Sequence, residues 1–63
     1  MASGTVSVSD TNQLYAVITP DEGGGDLTVY KQTLIDAGLT DLRPGERVYF
    51  DVHDGQVTRI RRA

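Results

Sequence analysis

The sequence predicts an all-β domain: a small, partly open Greek-key barrel of five antiparallel strands. Three observations carry that expectation. Short runs rich in β-branched and aromatic residues recur along the chain, several alternating with period two. Turn chemistry separates most of the runs. Only one brief helical pattern occurs, between the third and fourth runs, and that arrangement suits a five-stranded barrel.

Thr5-Val6-Ser7-Val8-Ser9 alternates and reads as the first strand. Asp10-Thr11-Asn12-Gln13 is a turn, because Asp and Asn bond their own backbone and tolerate left-handed conformations. Leu14 to Thr19 is the second strand, halted by Pro20, which has no N–H for the ladder. Asp21-Glu22-Gly23-Gly24-Gly25-Asp26 reads as a mobile hairpin loop, and Leu27 to Tyr30 as a short third strand. Leu34, Ile35 and Ala37 before Gly38 suit a single helical turn closed by a left-handed glycine. Arg43-Pro44-Gly45 is a tight turn before the fourth strand, Glu46 to His53. There Val48, Phe50 and Val52 point one way, and Arg47, Tyr49, Asp51 and His53 the other.

A two-residue turn at Asp54-Gly55 pairs Val52 with Val57 but sets Arg59 opposite the core-facing Phe50. A type I turn with a glycine bulge at Gly55 shifts the register by one, with Val48 expected opposite Ile60 and Arg59 and Arg61 turned outward. The expected core is Val6, Ile18, Val29, Val48, Phe50 and Ile60.

Sixty-three residues make one domain, 1–63, in which only about 60% of the unfolded surface can be buried. No cysteine is available for a disulfide or a thiolate metal site, which suits a reducing cytoplasm. No apolar run reaches the roughly 20 residues of a membrane span, so a cytoplasmic protein without membrane contact is expected. The net charge of −3 argues against a protein holding duplex DNA by its phosphates. The charge is uneven, however: Arg59, Arg61 and Arg62 form a basic C-terminal tip, while Lys31, Arg43 and Arg47 stand against all nine acids.

Gly4-Thr5-Val6, Ile18-Thr19-Pro20-Asp21-Glu22-Gly23-Gly24, Asp26-Leu27 with Val29, Leu42, Gly45, and Arg47-Val48 with Phe50 all resemble the bacterial cold-shock proteins. The correspondence runs without a gap from Gly4 to about Gly55, beyond which the loop before the last strand is shorter here. The resemblance implies an OB-fold that binds single-stranded RNA or DNA on exposed aromatics with basic neighbours. Where that family has Lys-Gly-Phe-Gly-Phe-Ile, this chain has Gln13-Leu14-Tyr15-Ala16-Val17-Ile18. Where the family has Val-Phe-Val-His, it has Leu27-Thr28-Val29-Tyr30. Val8 and Ser9 replace the tryptophan and phenylalanine of the first strand, and Lys31 stands where an aromatic or aliphatic residue is usual. Scaffold positions match while face positions do not, which points to directed change of one surface, natural or engineered.

The candidate nucleic-acid face is therefore Tyr15, Tyr30, Lys31, Gln13, Val8, Val17 and Thr28, joined by Arg59 and Arg61. With few rings left, binding of single-stranded RNA or DNA is expected to be weak. The alternative is a protein-interaction module, contacting a protein partner or a second copy of itself through Val8, Tyr15, Val17 and Tyr30, with Leu14 and Thr28 in the same mixed patch. Tyr49 reads as an ordinary cross-strand partner. His53, beside Asp51 and Asp54, lacks the further nitrogen ligands a metal site wants. Asp21, Glu22 and Asp26 do not match a calcium loop, and Gly23-Gly24-Gly25 lacks the helix and Lys-Ser/Thr of a phosphate cradle. No serine has a histidine and acid in a nucleophile's arrangement. No enzyme activity, metal or cofactor is expected.

Overall fold

The computed structural model describes residues 2–63. Its strands are β1 (Ala2–Asp10), β2 (Tyr15–Pro20), β3 (Leu27–Val29), β4 (Arg47–His53) and β5 (Gln56–Arg62), with one helix, α1 (Lys31–Ala37), between β3 and β4. Every pairing is antiparallel, in the order β3-β2-β1-β4-β5. The sheet curls until its edge strands β3 and β5 approach each other, and α1 packs against β5. The result is a curled half-barrel consistent with an OB-fold.

The interior is lined by Val6, Ala16, Ile18, Val29, Val48, Phe50, Val57 and Ile60 from the strands and closed by Leu34, Leu39 and Leu42. All six residues expected in the core are in it. Removing each such side chain from water contributes about 1.5–3 kcal/mol. Gly4 lies where β1 passes closest to its neighbours. A Cβ there would stand 2.6 Å from the Thr19 carbonyl oxygen and 2.8 Å from Ile18 Cγ2, so only glycine fits.

Several boundaries differ from the sequence expectation. Leu14 is a turn residue with φ of 58°, and β2 begins at Tyr15. β3 ends at Val29, and Tyr30 becomes the residue that precedes α1. The helix runs seven residues to Ala37, and Gly38 terminates it in the left-handed conformation, φ 71°, as expected.

The last hairpin corrects the predicted register. Asp54 and Gly55 both have positive φ, the signature of a two-residue type I′ turn, so Gly55 is not a bulge. Val52 pairs with Val57, then Asp51 with Arg59, leaving Thr58 as the extra residue. Phe50 therefore faces Ile60, and Val48 faces Arg62 instead of Ile60. The reason is burial: Val57 and Ile60 are three residues apart and both belong inside, which period two allows only if one residue between them is skipped. Val52, expected to point inward, is half exposed beside the hairpin tip.

Candidate functional site

The outer face of β1–β3 is built by a second irregularity. Val6 and Val8 are two residues apart, so an unbroken strand would send both to the core. The β1–β2 register shifts between them: Val6 pairs with Ile18 and Val8 with Val17. Ser7 absorbs the shift, and Val8 emerges on the outside, 44% exposed. Val17 in turn pairs with Thr28, giving one row, Val8–Val17–Thr28, across three strands. Ser9 is half-buried beyond the bulge, its Oγ donating to the Leu42 carbonyl at 2.6 Å.

The two tyrosines lie at one end of this row. Tyr15 opens β2 opposite Asp10. One step past the last β2–β3 pair, Ala16 with Val29, Tyr30 comes level with Tyr15. Its backbone is still extended, and the residue is 60% exposed. Lys31 follows as the first, exposed residue of α1. Gln13 flanks Tyr15 from the β1–β2 turn, where the Gln13 and Asn12 N–H groups both donate to Asp10 Oδ1 at 2.9 Å. That bonding positions the turn without a helix or glycine.

The opposite end of the face is polar and acidic. Ser7 and Thr19 hydroxyls share a 2.7 Å hydrogen bond, and Thr19 also donates to Asp26. Arg47 grips Asp21 with two hydrogen bonds, at 2.8 and 2.5 Å, while Ser3 donates to the same carboxylate at 2.7 Å. The Arg47 bonds and then the Ser3 bond hold the Asp21 carboxyl below its ordinary range.

Arg59 and Arg61 project from β5, the edge strand that pairs with β4 and approaches β3 where the sheet curls closed. Arg59 sits opposite Asp51, and the Arg61 guanidinium lies over the Tyr49 ring, 5.4 Å from its centroid. Tyr49 is thus the cross-strand partner that the alternation suggested, its partner being Arg61 directly opposite. The third residue of the basic tip, Arg62, is drawn away to Asp41 at 2.7 Å and Glu46 at 3.1 Å. Its hydrogen bond lowers the Asp41 pKa; that of Glu46 is lowered first by the Arg43 N–H and then by Arg62.

Among the described residues no group of three His, Cys, Asp or Glu is placed to hold a metal ion, and no helix is long and apolar enough to cross a membrane. The outer face of β1–β3 carries the apolar row Val8–Val17–Thr28 with Tyr15 beside it, and Tyr30 and Lys31 follow where β3 passes into α1.

No family model matches the chain. Among curated proteins it is 34% identical over 56 residues to cold shock protein ScoF of Streptomyces coelicolor, covering 89% of this chain and 84% of that protein. It is 34% identical over 55 residues to cold shock-like protein CspD of Escherichia coli, covering 87% of this chain and 74% of that one. Glycine-rich protein 2 of Nicotiana sylvestris is 39% identical over 54 residues, 86% of this chain, but the chain spans only a quarter of that longer protein.

Proposed function

Because this chain belongs to the cold-shock protein family, we propose that it binds single-stranded RNA or DNA, weakly, on the outer face of β1–β3. What supports this reading is that Tyr15 and Tyr30 flank the paired Ala16 and Val29, with Lys31 next in sequence. Bases stack on Tyr15 and Tyr30, because every base has a π-face and stacking is worth about 1–3 kcal/mol each. Lys31 meets the backbone, and Gln13 supplies a donor and an acceptor for a base edge. Val8, Val17 and Thr28 form a floor over which bases pass without a ring to stack on, which accounts for the weak binding. The exposed acids Glu22 and Asp26 at the other end repel phosphates and keep the strand toward the tyrosines.

A fluorescence titration at low salt with a short pyrimidine-rich single strand tests this. Tyr15→Ala is expected to weaken binding by about 1–3 kcal/mol and to leave the melting temperature nearly unchanged. Tight binding that ignores the substitution would place the contact elsewhere. The second reading, contact with a protein or with a second copy, is favoured by the exposure of Val8 within an apolar row. In that case oligonucleotides fail to bind, and changing Tyr15 and Tyr30 together to serine abolishes partner capture or dimerisation.

A further inference from the structure

The outer face of the β4–β5 hairpin carries a second aromatic and cationic cluster, which the tyrosine face does not use. A cleft there is lined by Tyr49, Asp51, Arg59 and Arg61, with Phe50 and Ile60 behind them. We propose that this cleft is a second contact for the same single strand, a base packing against the Tyr49–Arg61 pair and a phosphate meeting Arg59. The proposal rests on the nucleic-acid reading of the tyrosine face and extends it around the barrel.

Three observations support it. Tyr49 is 40% exposed and already has a guanidinium over its ring; bases stack on both aromatic rings and arginine planes. Arg59 and Arg61 lie on the same side of β5, about 6.7 Å apart along the strand, with Ile60 turned inward between them. That interval suits a base on the Tyr49–Arg61 pair and its neighbouring phosphate on Arg59. Arg59 also lines a second groove, against Thr33, Asp36 and Ala37 of α1 and Thr58 of β5. The same helix starts at Lys31, next in sequence to Tyr30, so α1 links the second groove to the end of the tyrosine face.

Asp36 and Asp51 border this route and oppose a polyanion. They keep the contact weak and salt-sensitive, and they supply a gain-of-binding test that a folding defect cannot imitate. The ring-and-guanidinium pair offers a base a stacking surface, whereas a carboxylate would engage only the guanidinium edge and leave the Tyr49 ring unused.

The experiment measures fluorescence anisotropy of labelled oligothymidylates of four and twelve nucleotides with the full chain. Tyr49→Ser, Arg59→Ala and Arg61→Ala are each expected to weaken the twelve-mer roughly fivefold or more and to leave the four-mer nearly unaffected. Each arginine variant should flatten the twelve-mer's salt dependence by about 0.7 in the log–log slope. Asp51→Asn should tighten the twelve-mer several-fold. If both lengths bind and only Tyr15→Ala weakens them, the cleft proposal is overturned and the tyrosine-face reading stands. Binding of neither length removes the nucleic-acid reading and the cleft with it. A glutamate-rich peptide that binds with the same sensitivity to Arg59→Ala and Arg61→Ala, where the twelve-mer shows none, assigns the cleft to acidic protein and also overturns the proposal.

Discussion

Gly4 and Phe50 are two sides of one contact. A Cβ on Gly4 would stand 3.2 Å from Phe50 Cε1, and more severely against the Thr19 carbonyl, which is backbone and has little freedom to retreat. Gly4→Ala therefore overpacks the site and is expected to cost about 1–3 kcal/mol. Phe50→Ala fails in the opposite sense, leaving a void among Val48, Ile60 and their neighbours, at about 3–5 kcal/mol. Either loss is large for a domain of this size, and the second is expected to leave it largely unfolded. Urea titrations of both variants check this. An unchanged midpoint for Phe50→Ala would remove that residue from the core.

At the scale of elements, two one-residue irregularities decide which side chains are seen from outside. The shift at Ser7 brings Val8 out beside Val17, and the shift at Thr58 lets both Val57 and Ile60 in. The second gives a direct prediction. Deleting Thr58 turns β4–β5 into a regular ladder with Val52 still opposite Val57 and Phe50 still opposite Ile60. The deletion should therefore fold, losing only the twist of the bulge and the long Thr58 hydroxyl contact to the Asp51 carbonyl, about 1 kcal/mol or less. Were the ladder unbulged, the same deletion would slip Ile60 out of the core and abolish the cooperative melt. Circular dichroism on heating separates the two outcomes.

For the whole molecule, ion pairs tie parts of the chain that are distant in sequence. Arg47 joins β4 to the loop at Asp21, and Arg62 joins the end of β5 to Asp41 and Glu46 before β4. All three carboxylates titrate below their ordinary values in the fold. A depressed folded pKa means the unfolded chain takes up protons first. Their stabilisation is therefore present above the ordinary carboxylate range and is lost as pH falls through the depressed values. Tm is expected to hold from pH 7 to about 5 and to fall below about pH 4. Arg62→Gln should shallow that fall, and high salt should shallow it further, because the pairs are exposed. A Tm independent of pH down to 2 would show that these pairs contribute nothing.

The sequence by itself determined the five strands, the single helix and its glycine cap, and the six residues at the centre of the core. Each follows from local signals: period-two alternation, turn residues, and a glycine free to take positive φ. It also determined the family, through scaffold residues such as Gly4 and the Ile18–Gly24 stretch. What only the tertiary structure decided was register and company. Alternation alone would turn Val8 inward with Val6; the resemblance sets it on the face, and the bulge that takes it there is made by how β1 meets β2. The turn at Asp54-Gly55 reads from sequence as a glycine bulge, and only the burial of Val57 and Ile60 shows a two-residue turn with Thr58 skipped instead. Three arginines close in sequence look like one basic tip. Strand parity separates them, sending Arg59 and Arg61 outward and Arg62 to Asp41 and Glu46, because neighbouring residues on a strand face opposite sides of the sheet.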